Sequence, residues 1–412
     1  MRPVTELQRR LGVPTATAIG VAAMLGVGIF FVWAPAARAA GAALLIGLAI
    51  AALVATLNAL STTQLAMAHP VSGGAYSYGR AELSPTAGFA AGALFLFGKT
   101  ASVAAIALVA GAYLAPGFER WVAVALVLVL SLVNASGIRS TAVVSFVIAT
   151  LVVVAIIMTL VVAGSRIAEP EPGAVVGGPL GVLQAASLIF FSFAGYARIA
   201  TLGEEVRDPR RTLPRAVVSA LSIVLLLSVA TAAVLLIGLG SERLAQSDSP
   251  LAELAGPGWE VVVRIGAGVA CVGSLLGVLA GLSRTSLAMA RGGDLPRRLA
   301  TVAPRTATPV VADAGVAVVA IVAVLLLEPT AVIGVSACAV LGYYGIANAS
   351  AFRQQKPARW LPRAVPILGV LGCAILALTA PWQAVVVVAG YLVVVLFVRF
   401  LVASRGRRRA GA

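Results

Sequence analysis

Two stretches of this sequence place glycines inside long apolar runs. The first is Gly20–Phe30, with Gly26 and Gly28 near its middle, and the second is Leu188–Tyr196, which contains Gly195. A glycine weakens a helix interior by about 1 kcal/mol relative to alanine, so both runs favour a local break. An unwound turn frees N–H groups that can hold a carboxylate and C=O groups that can hold an ammonium. The pattern indicates recognition of a zwitterion by backbone atoms, with close helix packing through small residues as the alternative.

A few polar side chains also lie at positions where they could act on a substrate or an ion. Lys99 falls well inside the third predicted helix, where it can carry a proton or replace a bound cation, or only snorkel or form a packing salt bridge. Arg198 follows the second glycine-containing run and can pair with Glu204 or Glu205 as part of a gate or a structural contact. Ser283 can supply an oxygen to a sodium-type site or bond back to its own helix.

Several kinds of chemistry have no matching residues in the chain. The one histidine, His69, and the three cysteines in apolar runs exclude a metal centre and a disulfide framework, so no cofactor or metal is expected. The chain has no HExxH helix, no GxSxG elbow and no GxxxxGK[ST] loop, which disfavours a membrane-embedded enzyme and an ATP-driven pump. A channel would need a repeated pore-lining or filter motif, and none is present.

The composition predicts what kind of elements must position these residues. Hydrophobic residues make up 60% of the 412 residues and charged residues 11%, with a mean hydropathy of +1.03. An all-α polytopic membrane protein is expected, since runs of about 20 apolar residues span the hydrocarbon core as helices. About twelve helices are predicted, at 14–36, 39–67, 85–113, 119–136, 139–164, 181–203, 215–239, 259–290, 308–327, 330–352, 364–379 and 381–402.

The charge distribution predicts how the chain is oriented. The net charge is +15, and all but two of the 30 basic residues are arginine. If the amino terminus is cytoplasmic, most arginines fall on inside segments, as the positive-inside rule requires. Both termini are then cytoplasmic, and the protein is expected in the plasma membrane. The basic tail, residues 403–412, can also contact anionic lipid.

The helices divide into two corresponding sets. A cytoplasmic segment, 1–13, precedes a first half of five helices over 14–164, and a second half of five spans 181–352. Two more helices occupy 364–402. Because each half has an odd number of spans, the halves must have opposite orientations in the membrane. Glycine-interrupted helices at corresponding places in inverted halves are typical of the binding site of a secondary transporter.

Four motifs in order resemble those of the amino acid–polyamine–organocation (APC) superfamily of transporters. They are Gly26-Val-Gly-Ile-Phe30, Pro70-Val-Ser-Gly-Gly-Ala-Tyr-Ser-Tyr78, Phe191-Ser-Phe-Ala-Gly-Tyr196 with the exit segment Glu204–Arg215, and Ala290-Arg-Gly-Gly-Asp-Leu-Pro296. The resemblance covers residues 14–300, and the remaining helices fit the same layout. It implies a LeuT-type five-plus-five inverted repeat with two additional helices, moving amino acids.

The resemblance also implies roles for individual residues. The substrate carboxylate is expected at the backbone of the first break, the ammonium at carbonyls of the second, and Phe30 or Phe193 over the site. The expected substrate-binding residues are Ala23, Gly26, Val27, Gly28, Ile29, Phe191, Ser192, Phe193, Ala194 and Gly195. Some members of the superfamily carry a glutamate where this chain has Ala197. Some also carry a lysine in the fifth helix, where this chain has none. The coupling ion, proton or sodium, therefore stays open.

The sequence thus favours a secondary active transporter of amino acids, with neutral ones foremost because no acidic side chain lies at either break. A transporter of a polyamine or another organic amine is an alternative, as is an exporter or exchanger. The expected partners are a small-molecule substrate and the lipid bilayer, without nucleic acid.

Overall fold

A computed structural model describes residues 11–71, 73–135, 141–167, 177–200, 206–301, 303, 310–356 and 358–410. Over these residues the chain is helical, without a β-strand. Several helices begin with proline in the first turn, where its missing N–H costs no hydrogen bond. In one of them Ser84 caps the helix by accepting a hydrogen bond from the N–H of Ala87 at 3.1 Å.

Seventeen α-helices are found in the described part of the chain. In order they are α1 Val13–Met24, α2 Val27–Phe31, α3 Trp33–Ala40, α4 Leu44–Ala68, α5 Ala75–Glu82, α6 Pro85–Leu114, α7 Glu119–Ala135, α8 Thr141–Ser165, α9 Pro179–Phe193, α10 Ala197–Ala200, α11 Pro209–Gln246, α12 Pro250–Ala255, α13 Glu260–Arg291, α14 Val310–Leu326, α15 Pro329–Arg353, α16 Ala364–Leu378 and α17 Trp382–Ala410. Short 3₁₀ turns occur at Ala194–Tyr196 and Arg297–Ala300.

A helix lies at each of the predicted spans, and most bounds differ by only a few residues. Among the described residues, eight helices are long and apolar enough to cross a membrane, while α14 and α16 are shorter apolar helices. The first predicted span, 14–36, is divided into α1, α2 and α3. The seventh, 215–239, is longer than predicted because α11 starts at Pro209 and continues past a bend at Gly240, whose φ is 67°.

The helices are arranged around α6. In the most apolar stretch of α6, 89% is buried inside the protein, whereas in the corresponding stretch of α17 only 11% is buried. Helices α13 and α15 pack directly on α6, α9 packs on α4, and α1 packs on α8 and α11. The helix α6 therefore forms the centre of the bundle, and α17 lies at its edge.

Large apolar side chains cover much of the outer surface. Leu132, Leu226, Leu326 and Leu378 are each more than 70% exposed. A soluble monomer rarely exposes apolar surface on this scale, and a hydrocarbon environment makes it favourable. The bundle is therefore built to be surrounded by lipid.

Connecting segments rich in arginine meet at one end of the bundle: Arg80 donates to the carboxylate of Asp294, and the amide of Gln354 donates to Glu82. We call the end that holds Leu11, Arg80, Arg207, Arg291 and Arg353 the basic end. There, the N–H of Arg207 donates to the carbonyl of Leu11 at 3.0 Å, which joins the segment before α1 to the segment after α10.

Asp294 forms a charged cluster at the basic end. Its carboxylate accepts hydrogen bonds from Arg80 at 2.5 Å, from the hydroxyl of Tyr76 at 3.0 Å and from Arg399. The guanidinium of Arg399 also lies 4.4 Å from the ring centroid of Phe89. This cluster ties α5, the loop after α13 and α17 together.

Candidate functional site

The first helix is broken at the predicted glycines. Helix α1 ends at Met24, and the N–H of Leu25 still bonds to the carbonyl of Val21 at 2.9 Å. At Gly26 the backbone turns to φ −79° and ψ −126°, outside the helical region, and α2 starts at the next residue. Lying beside this turn, the Ser274 hydroxyl of α13 donates to the carbonyl of Ala22 at 3.1 Å.

The far side of the first break is also held by side chains. The hydroxyl of Tyr113 in α6 donates to the carbonyl of Phe30 at 2.7 Å, and the indole of Trp33 donates to the carbonyl of Ile29 at 2.9 Å. An interrupted helix leaves carbonyls without their usual partners, so these donors restore hydrogen bonds that the break removes.

The second break is a tight turn rather than a wide unwound segment. After α9 the chain makes the 3₁₀ turn Ala194–Tyr196 and then resumes as α10. The N–H of Ala194 bonds three residues back, to the carbonyl of Phe191. The carbonyl of Ala194 accepts two side-chain hydrogen bonds, from Nζ of Lys99 and from the hydroxyl of Tyr344, both at 3.2 Å.

The two breaks touch each other. A Cβ atom built on Gly28 would lie 2.5 Å from Cα of Ser192, and one built on Gly195 would lie 2.5 Å from the carbonyl oxygen of Ala23. Contacts this short do not occur between real Cβ atoms and backbone, so any larger residue would push the breaks apart. Both glycines are therefore needed for close approach.

A small cavity of about 20 Å³ lies where the breaks meet. Its lining includes Ala23, Gly26, Gly28, Phe191, Gly195 and Lys99. A second cavity of about 30 Å³ adjoins it and is lined by Ala194 and Arg198, again together with Lys99. Each has room for only one or two waters, so an amino acid can bind only if the cavity widens.

The charged residues that line these two cavities are basic. Lys99 and Arg198 are the charged residues in the lining, and no carboxylate is found there among the described residues. Both side chains are buried, with 7% and 9% of their surface exposed. Ionisable groups at this depth are costly in a membrane protein and usually serve its function.

Other predicted substrate-binding residues lie outside these cavities. Phe193 is buried and lines a different cavity, between α4 and α11. Ile29 is buried in the core, and Ser192 packs against Gly28 without a hydrogen bond for its hydroxyl among the described residues. The ring of Phe30 packs edge-on against Tyr113 at a centroid distance of 5.7 Å. Val27 is the first residue of α2.

Of the predicted coupling and gating residues, Lys99 and Arg198 lie at the breaks, whereas Ser283 lies elsewhere. Ser283 donates to the carboxylate of Asp313 and contacts Asn134, on α14 and α7. It lies nine residues beyond Ser274 on α13, which is about 13 Å along a helix, and this separation explains why Ser274 rather than Ser283 reaches α1. Glu204 and Glu205 lie outside the described residues.

Sequence reasoning missed the residues that complete the breaks, namely Ser274, Tyr113 and Tyr344. Each is a polar side chain within a long apolar helix, and that signal could have selected them. The signal is common, however, since Ser102 and Ser336 are buried in similar helices and bond to each other at 2.7 Å.

A lipid-facing helical bundle in which two broken helices meet at a central cavity defines a membrane transporter with the LeuT-type fold. The family model described as "Amino acid permease" matches residues 11–405, so the chain belongs to the amino acid permease family of the APC superfamily.

Curated relatives agree with this assignment. An uncharacterized transporter of Mycobacterium tuberculosis (strain H37Rv) is 46% identical over 413 residues, covering 98% of this chain and 94% of that protein. The branched-chain amino acid permease of Bacillus subtilis is 25% identical, covering 96% and 93% of the two chains. Cationic amino acid transporter 7 of Arabidopsis thaliana is 28% identical, covering 85% and 66%.

A solved structure shares the fold. It is a substrate-bound, outward-open Na⁺-coupled sialic acid symporter, which superposes with a TM-score of 0.55 at 13% identity. The match covers 91% of this chain and 90% of that one. At this identity the likeness concerns the arrangement of helices.

Proposed function

We propose that the chain is a secondary active transporter of amino acids without a cationic side chain, with neutral ones foremost. The observation that carries this proposal is the meeting of two broken helices at a cavity whose described lining contains Lys99 and no carboxylate. In this proposal the backbone at Gly26 and Gly28 holds the substrate carboxylate, and the carbonyls of α9 and the second break hold its ammonium. Alternating access then requires the breaks to separate and close again.

Electrostatics disfavours a cationic substrate. Two like charges 4 Å apart repel by about 4 kcal/mol at an effective dielectric constant of 20. A lysine side chain or a polyamine entering this cavity would meet that repulsion from the ammonium of Lys99, and no described carboxylate lines the cavity beside it. The branched-chain specificity in the name of the Bacillus subtilis relative supports a neutral substrate, whereas the plant relatives carry names that specify cationic amino acids.

Uptake by proteoliposomes tests the proposal. Purified protein is reconstituted, and uptake of labelled neutral amino acids is compared with that of lysine and putrescine, each with and without sodium or a proton gradient. We expect saturable uptake of at least one neutral amino acid, competed by its unlabelled form, and little uptake of lysine or putrescine. Preferred uptake of putrescine or lysine would overturn the substrate assignment, and no flux of any amino acid would overturn the transporter assignment.

We further propose that the basic end faces the cytoplasm of a cell whose plasma membrane holds the protein. The three native cysteines are buried, so they give little background to a thiol reagent. Lys356→Cys lies at the basic end and Asp248→Cys at the opposite end, and both positions are exposed. A membrane-impermeant thiol reagent added to intact cells should label only Asp248→Cys. The reverse pattern would contradict the orientation.

A further inference from the structure

Lys99 places an ammonium group at the second break. Its Nζ donates to the carbonyl of Ala194 at 3.2 Å, and the side chain is 7% exposed. Within the described part of the chain, no carboxylate lies within 4 Å of this ammonium, so the backbone carbonyl of Ala194 is its hydrogen-bonding partner there. The cavity beside it measures about 20 Å³ and contains Lys99 in its wall.

The carbonyl oxygen of Ala194 already accepts two hydrogen bonds and has no lone pair left for a third donor. A carbonyl oxygen has two lone pairs, and here Lys99 and the hydroxyl of Tyr344 each donate to it. A substrate ammonium can use this carbonyl only after one of the two donors leaves.

Of these two donors, Lys99 is the one that can move. The ring of Tyr344 is held between Tyr196, at a centroid distance of 5.0 Å, and Phe190, at 5.9 Å. Lysine has a flexible four-carbon stem with rotatable donors. Displacing it also enlarges the cavity, because its side chain forms part of the wall.

We propose that the ammonium of Lys99 takes the place of the substrate ammonium when no substrate is bound. It stays hydrogen-bonded to the Ala194 carbonyl until the ammonium of an amino acid displaces it. This inference rests on the proposed function. A carrier without substrate would otherwise have to close with that carbonyl deprived of its charged donor, which is unfavourable for a buried acceptor. With Lys99 in place the carrier can close and return without substrate. The transporter therefore performs net transport rather than obligatory exchange.

Competition between Lys99 and the substrate amine is tested by binding. The probes are the neutral amino acid with the highest uptake and the corresponding carboxylic acid that lacks the amine, for example leucine and 4-methylpentanoate. In Lys99→Met the amino acid should bind roughly tenfold more tightly, because a charge-assisted hydrogen bond no longer competes. The carboxylic acid has no amine that competes with Lys99, and it loses the attraction of the lysine ammonium, so it should bind the variant no more tightly than the wild type.

The chain offers a matched control in its other lysine, Lys356, which is exposed at the basic end. Lys356→Met should bind both probes like the wild type. Equal changes for both probes in Lys99→Met would show a merely structural role, and unchanged binding of the amino acid would show no competition. Either result overturns the inference. If Lys99→Met cannot be purified, Lys99→Gln removes the charge while keeping a donor of similar length.

The consequence for transport is tested with two flux assays. Counterflow into vesicles preloaded with substrate needs no return of the unloaded carrier, whereas net uptake into substrate-free vesicles does. Lys99→Met should retain counterflow and lose at least roughly fivefold in net uptake, the effect of a modest shift between two conformations. Parallel losses in both assays, or none in either, would overturn the inference. Absence of flux in the wild type would instead refute the proposed function.

Discussion

Replacing Gly28 by alanine should block transport while leaving the bundle folded. The new Cβ would lie 2.5 Å from Cα, Cβ and Oγ of Ser192. Ordinary contacts begin near 3.4 Å, so the two breaks must separate by about 0.9 Å. Because one of the opposing atoms belongs to the backbone of α9, a side-chain rotation cannot relieve the overlap.

The size of the effect follows from this overlap. Overpacking by one methyl group in a well-packed core costs about 1–3 kcal/mol. Here the cost falls on the conformation in which the breaks touch, and it shifts the equilibrium away from that conformation by about 5- to 150-fold. Uptake by proteoliposomes should fall by a factor in this range. The thermal midpoint of the purified protein should fall by only a few degrees.

Two other glycines provide graded controls. A Cβ on Gly277 would meet Ala23 at 3.8 Å, an ordinary contact, and one on Gly315 would meet nothing within 4 Å. Gly277→Ala should reduce uptake slightly, and Gly315→Ala should not change it. Wild-type uptake in Gly28→Ala, or an equal loss in all three variants, would refute the reasoning that the close approach of the breaks is needed for transport.

Three further changes test the contacts that hold the helices. Asp294→Asn removes the anionic acceptor of Arg80 and Arg399, so stability should fall by about 2–3 kcal/mol; a thermal midpoint equal to the wild type would contradict this. Burial and the hydrogen bond to Asp294 raise the pKa of Tyr76 to about 12, so its contribution to stability is full below pH about 10 and is lost as the pH rises through about 12. Tyr76→Phe should therefore flatten the pH dependence of the midpoint between these values, and an unchanged profile would argue against it. Ser274→Ala removes a donor to the first break and should lower stability by about 1 kcal/mol, with weaker substrate binding; unchanged affinity in a titration would show that this hydrogen bond does not shape the site.

Sequence patterns were sufficient for most of the fold because the membrane restricts the choices. Backbone groups in hydrocarbon must be satisfied internally, so each apolar run of about 20 residues forms a helix. The bounds of α6 were predicted to within one residue for this reason. The start of α11 at Pro209 was not predicted, because Pro214 lies inside the helix, where a proline removes a backbone hydrogen bond and usually breaks or kinks the helix.

The positions of the breaks were predictable from glycine, but their shapes were not. Gly26 marks the bend in the first span, since glycine weakens a helix locally. The second break, in contrast, is a 3₁₀ turn whose Ala194 carbonyl accepts hydrogen bonds from two side chains. Whether a helix unwinds or tightens depends on the donors that neighbouring helices provide. Lys99 lies 95 residues from Ala194, and no local pattern relates them.

The side chains that complete the breaks come from different helices than the breaks themselves. Ser274 and Tyr113 bond to the first broken helix from α13 and α6, and Lys99 and Tyr344 bond to the second from α6 and α15. A substrate that binds both breaks must replace some of these hydrogen bonds with its own carboxylate and ammonium. Since a ligand shifts a conformational equilibrium only by its differential interactions, this exchange of partners is where binding can be converted into movement of the broken helices relative to α6, α13 and α15. Lys99 is the one charged member of the set, so its replacement should alter that conversion more than the loss of any single hydroxyl.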